Sequence, residues 1–449
     1  MRDALRNFTF VLVIASFPLL GSSAENPWPQ FLGPEGNGHA TAQDLPIQWS
    51  ESENIAWKVT VPGKGWSSPV ISSAHVWLTT AIEKSLSKEE QDRLLKEKAI
   101  NPSQNHLAGG VELKALCFRR DTGEVVRDIE LRRIQDPPPI HSFNSYASPT
   151  PILDGERIYC HFGTMGTFCL DTQSGKVLWR NLDIRVEHLT GPGASPVLWR
   201  DSLIFPGDGA DVQFVIALDK HTGRVKWKTD RSGQLSSSVE MRRSFCTPTI
   251  LEEGGRSQLI SPGATWVYSY DPGDGRELWR CRYPLTGYSV VPRPVAHAGK
   301  VFIFTGFGKA ELFAVRYDGQ GDVTDSHVAW NHRRQCPTRS SPILVGDELY
   351  FVADSGIATC LDASSGKIHW MERLGGNYSA SPLHADGRIY FFSQEGKITA
   401  IEPATEFRQL ATSQLDEGFM ATPAAVDHEF YLRTRTRLFR IEKKRVAGR

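Results

Sequence analysis

The ten residues Leu170 to Trp179, LDTQSGKVLW, return nearly unchanged as LDKHTGRVKW at Leu218 to Trp227. A recurrence at a period of about 40–50 residues marks a repeat architecture, a solenoid or a propeller, before any single residue is given a role. A second marker recurs with it. A Ser-Pro-like step appears at Ser68-Pro69, Ser148-Pro149, Ser195-Pro196, Thr247-Pro248, Arg293-Pro294, Ser341-Pro342, Ser381-Pro382 and Thr422-Pro423. The prolines of these eight copies lie 80, 47, 52, 46, 48, 40 and 41 residues apart. The long first interval holds Ser87 to Lys98, SKEEQDRLLKEK, and predicts a helical insertion over about residues 84–108. Ser87, with Gln91 nearby, suits the start of that helix, and Asn101-Pro102 suits its end.

Within a copy, short apolar runs alternate with Gly-containing turns. Leu383 opens one strand, Asp386-Gly387 turns, Arg388 to Phe392 forms a second, and Lys397 to Ile401 a third. Fuller copies add a fourth strand ending on Trp179, Trp227, Trp279, Trp330 or Trp370. Each copy therefore predicts a four-stranded antiparallel meander. Such a sheet has two faces to cover, and copies packed face to face around an axis cover them if the ring closes. The eighth copy stops after three strands, and the N-terminal region supplies an unmatched one around Trp57, over about residues 54–60. The expected fold is all-β: an eight-bladed propeller spanning residues 25–449, its ring closed by that N-terminal strand. In the repeated decapeptide, Asp171 and Gly175 bracket a turn where glycine reaches positive φ, and the tryptophan packs on the neighbouring blade. The repeated segment encodes packing.

Residues 1–24 carry Arg2 and Arg6, an apolar run from Phe8 to Leu20, and Ser22-Ser23-Ala24, the pattern of a cleaved export signal. No cysteine follows the run, so an unlipidated periplasmic chain with no membrane span is expected. The sequence holds 51 basic and 51 acidic residues; losing the first 24 removes two basic and one acidic, for a net charge of −1. That balance argues against nucleic-acid binding, which needs a concentrated basic face. Seven cysteines are scattered without a CxxC pair, so metal-site spacing is absent. If Phe162 faces Thr167 across a hairpin, Cys160 and Cys169 face each other and an oxidising compartment permits a disulfide. The other reading is that Cys169 and Cys360 fill a small, buried slot occupied elsewhere by Ala217, Ser269 and Ala400.

The segment Ala217-Leu218-Asp219-Lys220-His221-Thr222-Gly223 through Trp227 resembles the tryptophan-docking motif of the pyrroloquinoline-quinone-type propellers. The resemblance covers nearly the whole chain after residue 24. The superfamily includes quinoprotein dehydrogenases and non-catalytic propellers such as the outer-membrane assembly factor BamB. With NPWPQFLGPEGNG, NSYASPTP, GYSVVPRP and GGNYSASP, the chain is similar to the exported BamB-like repeat proteins of planctomycete-type bacteria. This implies a scaffold that binds a protein or a cell-envelope glycan, without a cofactor. The alternative it implies is a dehydrogenase holding pyrroloquinoline quinone with calcium in the central funnel. The adjacent cysteine pair of the alcohol-dehydrogenase type is missing here.

Strand direction places the segments leading into each first strand, and the loops after each second strand, on one face. These segments are polar and aromatic. Candidate ligand-binding residues of this funnel are Asn144, Tyr146, Asp208, Asp211, Arg243, Tyr288, Arg293, Asn377 and Tyr378, with Lys64, Trp66, His141 and Arg339 on the same segments. Arg and Tyr in a concave site suit carboxylates, sulfates, sugar hydroxyls or peptide. No catalytic residue and no metal ligand is assigned. A Gly-x-Ser-x-Gly nucleophile turn is absent, and Pro206 to Asp211 lacks the ligand cadence of a calcium loop.

Overall fold

Eight antiparallel sheets follow one another along the chain in the computed structural model, which describes residues 27–284 and 287–444. The expected export signal lies outside the described residues. The first strands are Val70–Ile71, Ile152–Asp154, Val197–Trp199, Thr249–Glu253, Val295–His297, Ile343–Val345, Leu383–Ala385 and Ala424–Val426. They number the blades one to eight. First strands touch between blades one and two, three and four, five and six, six and seven, and eight and one, so they form the inner wall, and each sheet runs outward from there. Blade eight is completed by Ile55–Thr60, paired antiparallel to Arg437–Glu442 with Trp57 opposite Arg440. Blade four gains a fifth strand, Gly321–Asp322, parallel to Glu277–Arg282.

The insertion in blade one is the helix Lys88–Glu97, whose N-cap Ser87 accepts a hydrogen bond from the Glu90 N–H. Gln91 serves another end: its side-chain carbonyl accepts from the Leu107 N–H at 3.1 Å and ties the helix to the returning chain.

Two devices join the blades. The first is the tryptophan. Indole N–H groups of Trp57, Trp179, Trp227, Trp330 and Trp370 donate to carbonyls of Arg120, Lys220, Pro272, Ala363 and Ala404, each in the turn before the outer strand of the next blade. Gly223, at φ +72°, lies directly beneath Trp179, and a Cβ there would collide with the indole. Trp279 differs. Its N–H donates to Gln258 Oε1 in its own blade, and the Gln258 amide reaches Tyr317 O in blade five. In blade one Arg127 takes the place of the tryptophan and donates to Thr172 O.

The second device corrects the repeat register. The blade-two counterpart of Ser68-Pro69 is Thr150-Pro151, not Ser148-Pro149. At six of the eight blade junctions the residue before the proline donates its backbone N–H to the hydroxyl of the equivalent residue one blade on. Ser68 donates to Thr150, Thr150 to Ser195, Ser195 to Thr247, Arg293 to Ser341, Ser341 to Ser381 and Ser381 to Thr422, all at 2.9–3.0 Å. Ser148 instead bonds Asn144 and Ser145 within its own loop.

The hairpin register separates the two cysteines. Thr167 pairs with His161, which sets Cys160 opposite Phe168 and Cys169 opposite Tyr159. Because side chains alternate, this one-residue slip turns the cysteines to opposite faces of blade two. Cys160 joins the core against blade one and Cys169 the core against blade three, and both thiols are free. The small-residue reading stands and the disulfide does not.

The segment before Ile55 stands outside the repeats. It runs along the inner wall. Trp28 exchanges backbone hydrogen bonds with Ile71, Pro29 O accepts from Leu153 N–H, and Gly38 O accepts from His384 N–H. His39 Nε2 lies 2.7 Å from Leu344 O, and Gln43 N–H donates to Asp427 O. Residues 28–43 thus connect blades one, two, six, seven and eight at the turn end of the first strands and occupy one end of the central channel. Trp28 and Trp49 are buried in the core that joins blades seven, eight and one.

Candidate functional site

The other end of the channel is framed by the segments leading into the first strands. Seven of the nine funnel candidates lie on these segments, but the structure gives the nine different tasks.

Tyr146 and Tyr378 are fully buried. The Tyr146 hydroxyl accepts from Ala108 N–H under the helical insertion, and Tyr378 belongs to the core between blades six and seven. Burial pushes both phenols above their ordinary pKa. Asp208 is also buried, gripped at both oxygens by Arg231 at 2.7 and 2.6 Å. That carboxylate holds the Arg231 guanidinium firmly protonated. These three are structural, and the sequence misleads because the same residue types serve a core and a funnel.

Asn144 stays at the mouth, with its hydrogen-bonding capacity spent. Its amide donates to Thr190 O and Pro192 O, and its carbonyl accepts from Ser145 N–H and the Ser148 hydroxyl. Asn377 donates its backbone and side-chain N–H groups to Glu395, and Asp211 accepts from Glu187 N–H. Arg293 is buried away from the mouth, beneath the N-terminal segment. It donates to Phe31 O at 3.0 Å, and burial, with no carboxylate partner among the described residues, pulls its pKa down to about 10.

What remains forms a cluster. Phe143, leading into blade two, and Arg339, leading into blade six, meet across the axis with the guanidinium 5.6 Å from the ring centre. Blades two and six are opposite members of an eight-membered ring, so this contact spans the mouth. His141 stacks on Phe143 at 5.8 Å, and Trp66 donates its indole N–H to Phe143 O. Lys64 lies 5.4 Å from the centre of the Trp66 ring. Burial, then the charges of Arg339 and Arg243, lowers the pKa of His141. Arg339 is paired with Asp354 at 3.0 Å, whereas Arg243 donates to Glu240 O and has no carboxylate partner among the described residues. Tyr288 meets Phe307 edge to face at 5.8 Å. Phe143 and Phe307 are 57% and 58% exposed, the largest values among the exposed bulky apolar residues. Sequence reasoning missed both, since nothing in a loop phenylalanine announces exposure.

A family described as outer membrane protein assembly factor BamB matches residues 165–356 and 263–409, together more than half of the sequence. The chain belongs to the BamB family. The BamB protein of Yersinia pestis is 20% identical over 220 residues, 45% of this chain and 52% of that protein. The BamB protein of Shewanella oneidensis is 21% identical over 301 residues, 62% of this chain and 69% of that one. The alignment thus spans about half the length of the first relative. Among solved structures, BamB from Moraxella catarrhalis superposes with a TM-score of 0.55 at 10% identity, covering 86% of this chain and 99% of that one. A europium-containing methanol dehydrogenase gives 0.62 at 10% identity over 91% and 89%. The quinohemoprotein alcohol dehydrogenase of Comamonas testosteroni gives 0.61 at 11% over 94% and 82%. At such identities these likenesses show the propeller fold and nothing about chemistry.

Asp208 is committed to Arg231, and Asp211 accepts from the Glu187 N–H. Among the described residues, no three His, Cys, Asp or Glu side chains are grouped to hold a metal ion. Buried thiols such as Cys246 are pushed far up in pKa by desolvation, away from the reactive thiolate form. No helix among the described residues is long and apolar enough to cross a membrane.

Proposed function

We propose that this chain is a non-catalytic scaffold that acts in the periplasm and docks a protein segment at the mouth framed by Phe143 and Phe307. The exposure of these two phenylalanines carries the reading. Ring-shaped folds bury their aromatic residues between blades, and rings left in water on one loop-rich face fit the apolar centre of a protein contact. Around them, Lys64 and Arg243 supply positive charge while Asp211, Asp354 and Glu395 are engaged by neighbouring groups. The relatives are named as assembly factors for outer membrane proteins, which supports a protein as the partner. Nothing in them supports the envelope glycan. The dehydrogenase reading draws on likeness of fold alone.

The test is replacement of the native gene by a Phe143→Glu/Phe307→Glu variant, after confirming that the purified variant melts as the native protein does. The expected result is a fall in outer-membrane protein levels to those of a strain lacking the gene. Unchanged levels, with the deletion strain affected, would sink the proposal.

A further inference from the structure

One position of the inner wall breaks the repeat. The second residue of each first strand is isoleucine, leucine or alanine in seven blades, and in blade seven it is His384. A polar side chain where every other copy carries an apolar one is a local departure of the kind expected at functional sites. It meets a second histidine. His39, on the N-terminal segment, forms a parallel bridge with His384, fixed on both sides by bonds from His384 N–H to Gly38 O and from Ala40 N–H to His384 O, each 2.9 Å.

The backbone thus holds the two imidazoles side by side, with ring centres 4.9 Å apart and Nδ1 atoms 3.2 Å apart. The proton of His39 is placed. Its Nε2 lies 2.7 Å from Leu344 O, and a carbonyl only accepts, so Nε2 carries the hydrogen and Nδ1 of the neutral ring presents a lone pair to His384. Metal-ligating histidines are oriented in this way, by donating the far N–H to a backbone carbonyl. The spacing fits as well: two nitrogens about 2.0–2.1 Å from one ion stand roughly 2.9–3.4 Å apart for angles between a right angle and the tetrahedral one. Both side chains are half-buried, so neither is sealed from solvent. Asp386, two residues on, is held by Arg388 and the Leu45 N–H, and no third His, Cys, Asp or Glu joins the pair among the described residues.

We propose that His39 and His384 bind a divalent transition-metal ion through their Nδ1 atoms and so clamp the N-terminal segment to blade seven. Imidazole donors select zinc and copper over calcium or magnesium. Without metal, the His384 Nδ1–H donates to His39 Nδ1. On binding, the His384 proton moves to Nε2, both rings stay neutral, and water completes the coordination.

The test titrates tag-free protein, stripped with a chelator, with zinc chloride and copper(II) chloride by calorimetry, and records melting at each metal concentration. One ion is expected to bind at the pair, copper more tightly than zinc, with the melting temperature rising as metal is added. His39→Gln, and His384→Leu with the side chain that blade six carries at this place, are each expected to weaken binding at least about tenfold and to abolish the melting shift. His221→Gln, on an exposed turn of the outer rim, is expected to behave as the native protein does. A native protein whose melting ignores both metals, or a shift that survives in His384→Leu or vanishes in His221→Gln, overturns the proposal. Should His39→Gln fold poorly, His384→Leu decides.

Discussion

His188 shows how one buried side chain ties this fold to pH. Both ring nitrogens are shut off from solvent and unpartnered, and the imidazole lies 6.3 Å from the Phe245 ring. Burial lowers its pKa from 6.5 to about 4, against a small opposing pull from Asp211. His161, to which it is electrostatically coupled, is lowered to about 3. Both are neutral when folded. As pH falls below 6.5 the unfolded chain takes up protons that the folded chain refuses, so stability is lost between about pH 6.5 and 4. One such histidine contributes up to about 1.4 kcal/mol per pH unit there. His188→Leu removes one titrating group and breaks no hydrogen bond. Its unfolding free energy, followed by denaturant titration at several pH values, is expected to fall more gently with acid than that of the native chain. Parallel curves would contradict the assignment.

At the scale of elements, the N-terminal segment both lines the channel and stitches the ring. Trp28 is 1% exposed, and its backbone is paired with Ile71. Trp28→Ala is expected to cost about 3–5 kcal/mol, as for other buried aromatic truncations. A loss below about 1 kcal/mol in urea unfolding would mean that the segment is a loose appendage. This element shows where the sequence stops being legible. Blades announce themselves because every copy must solve the same packing problem, and the solution repeats. Residues 28–43 solve theirs once, against several blades, and leave no period to read. Register is equally hidden: Pro149 and Pro151 both follow a hydroxyl residue, and only the hydrogen bond from Ser68 to Thr150 distinguishes them. A one-residue slip in the Arg157–His161 hairpin likewise decided the fate of Cys160 and Cys169. The candidate site was readable as a face and not as a set. Asn144, Arg243 and Tyr288 are where strand direction puts them, whereas Tyr146, Asp208 and Tyr378 turn into the core. The contact that spans the mouth joins residues 143 and 339, which no local pattern connects.

The whole molecule is a closed ring with one end of its channel occupied by its own chain and the other spanned by Phe143 and Arg339. In the proposed function, this end serves as a docking surface for a protein segment and the channel carries no chemistry. The account stands or falls on that division. Its most direct test is a titration of the purified protein with pyrroloquinoline quinone, with and without calcium, followed by dye reduction in the presence of alcohols and sugars. The account predicts no saturable quinone binding and no turnover under either condition. Stoichiometric, calcium-dependent binding with substrate-dependent dye reduction would contradict it and make the funnel a catalytic site.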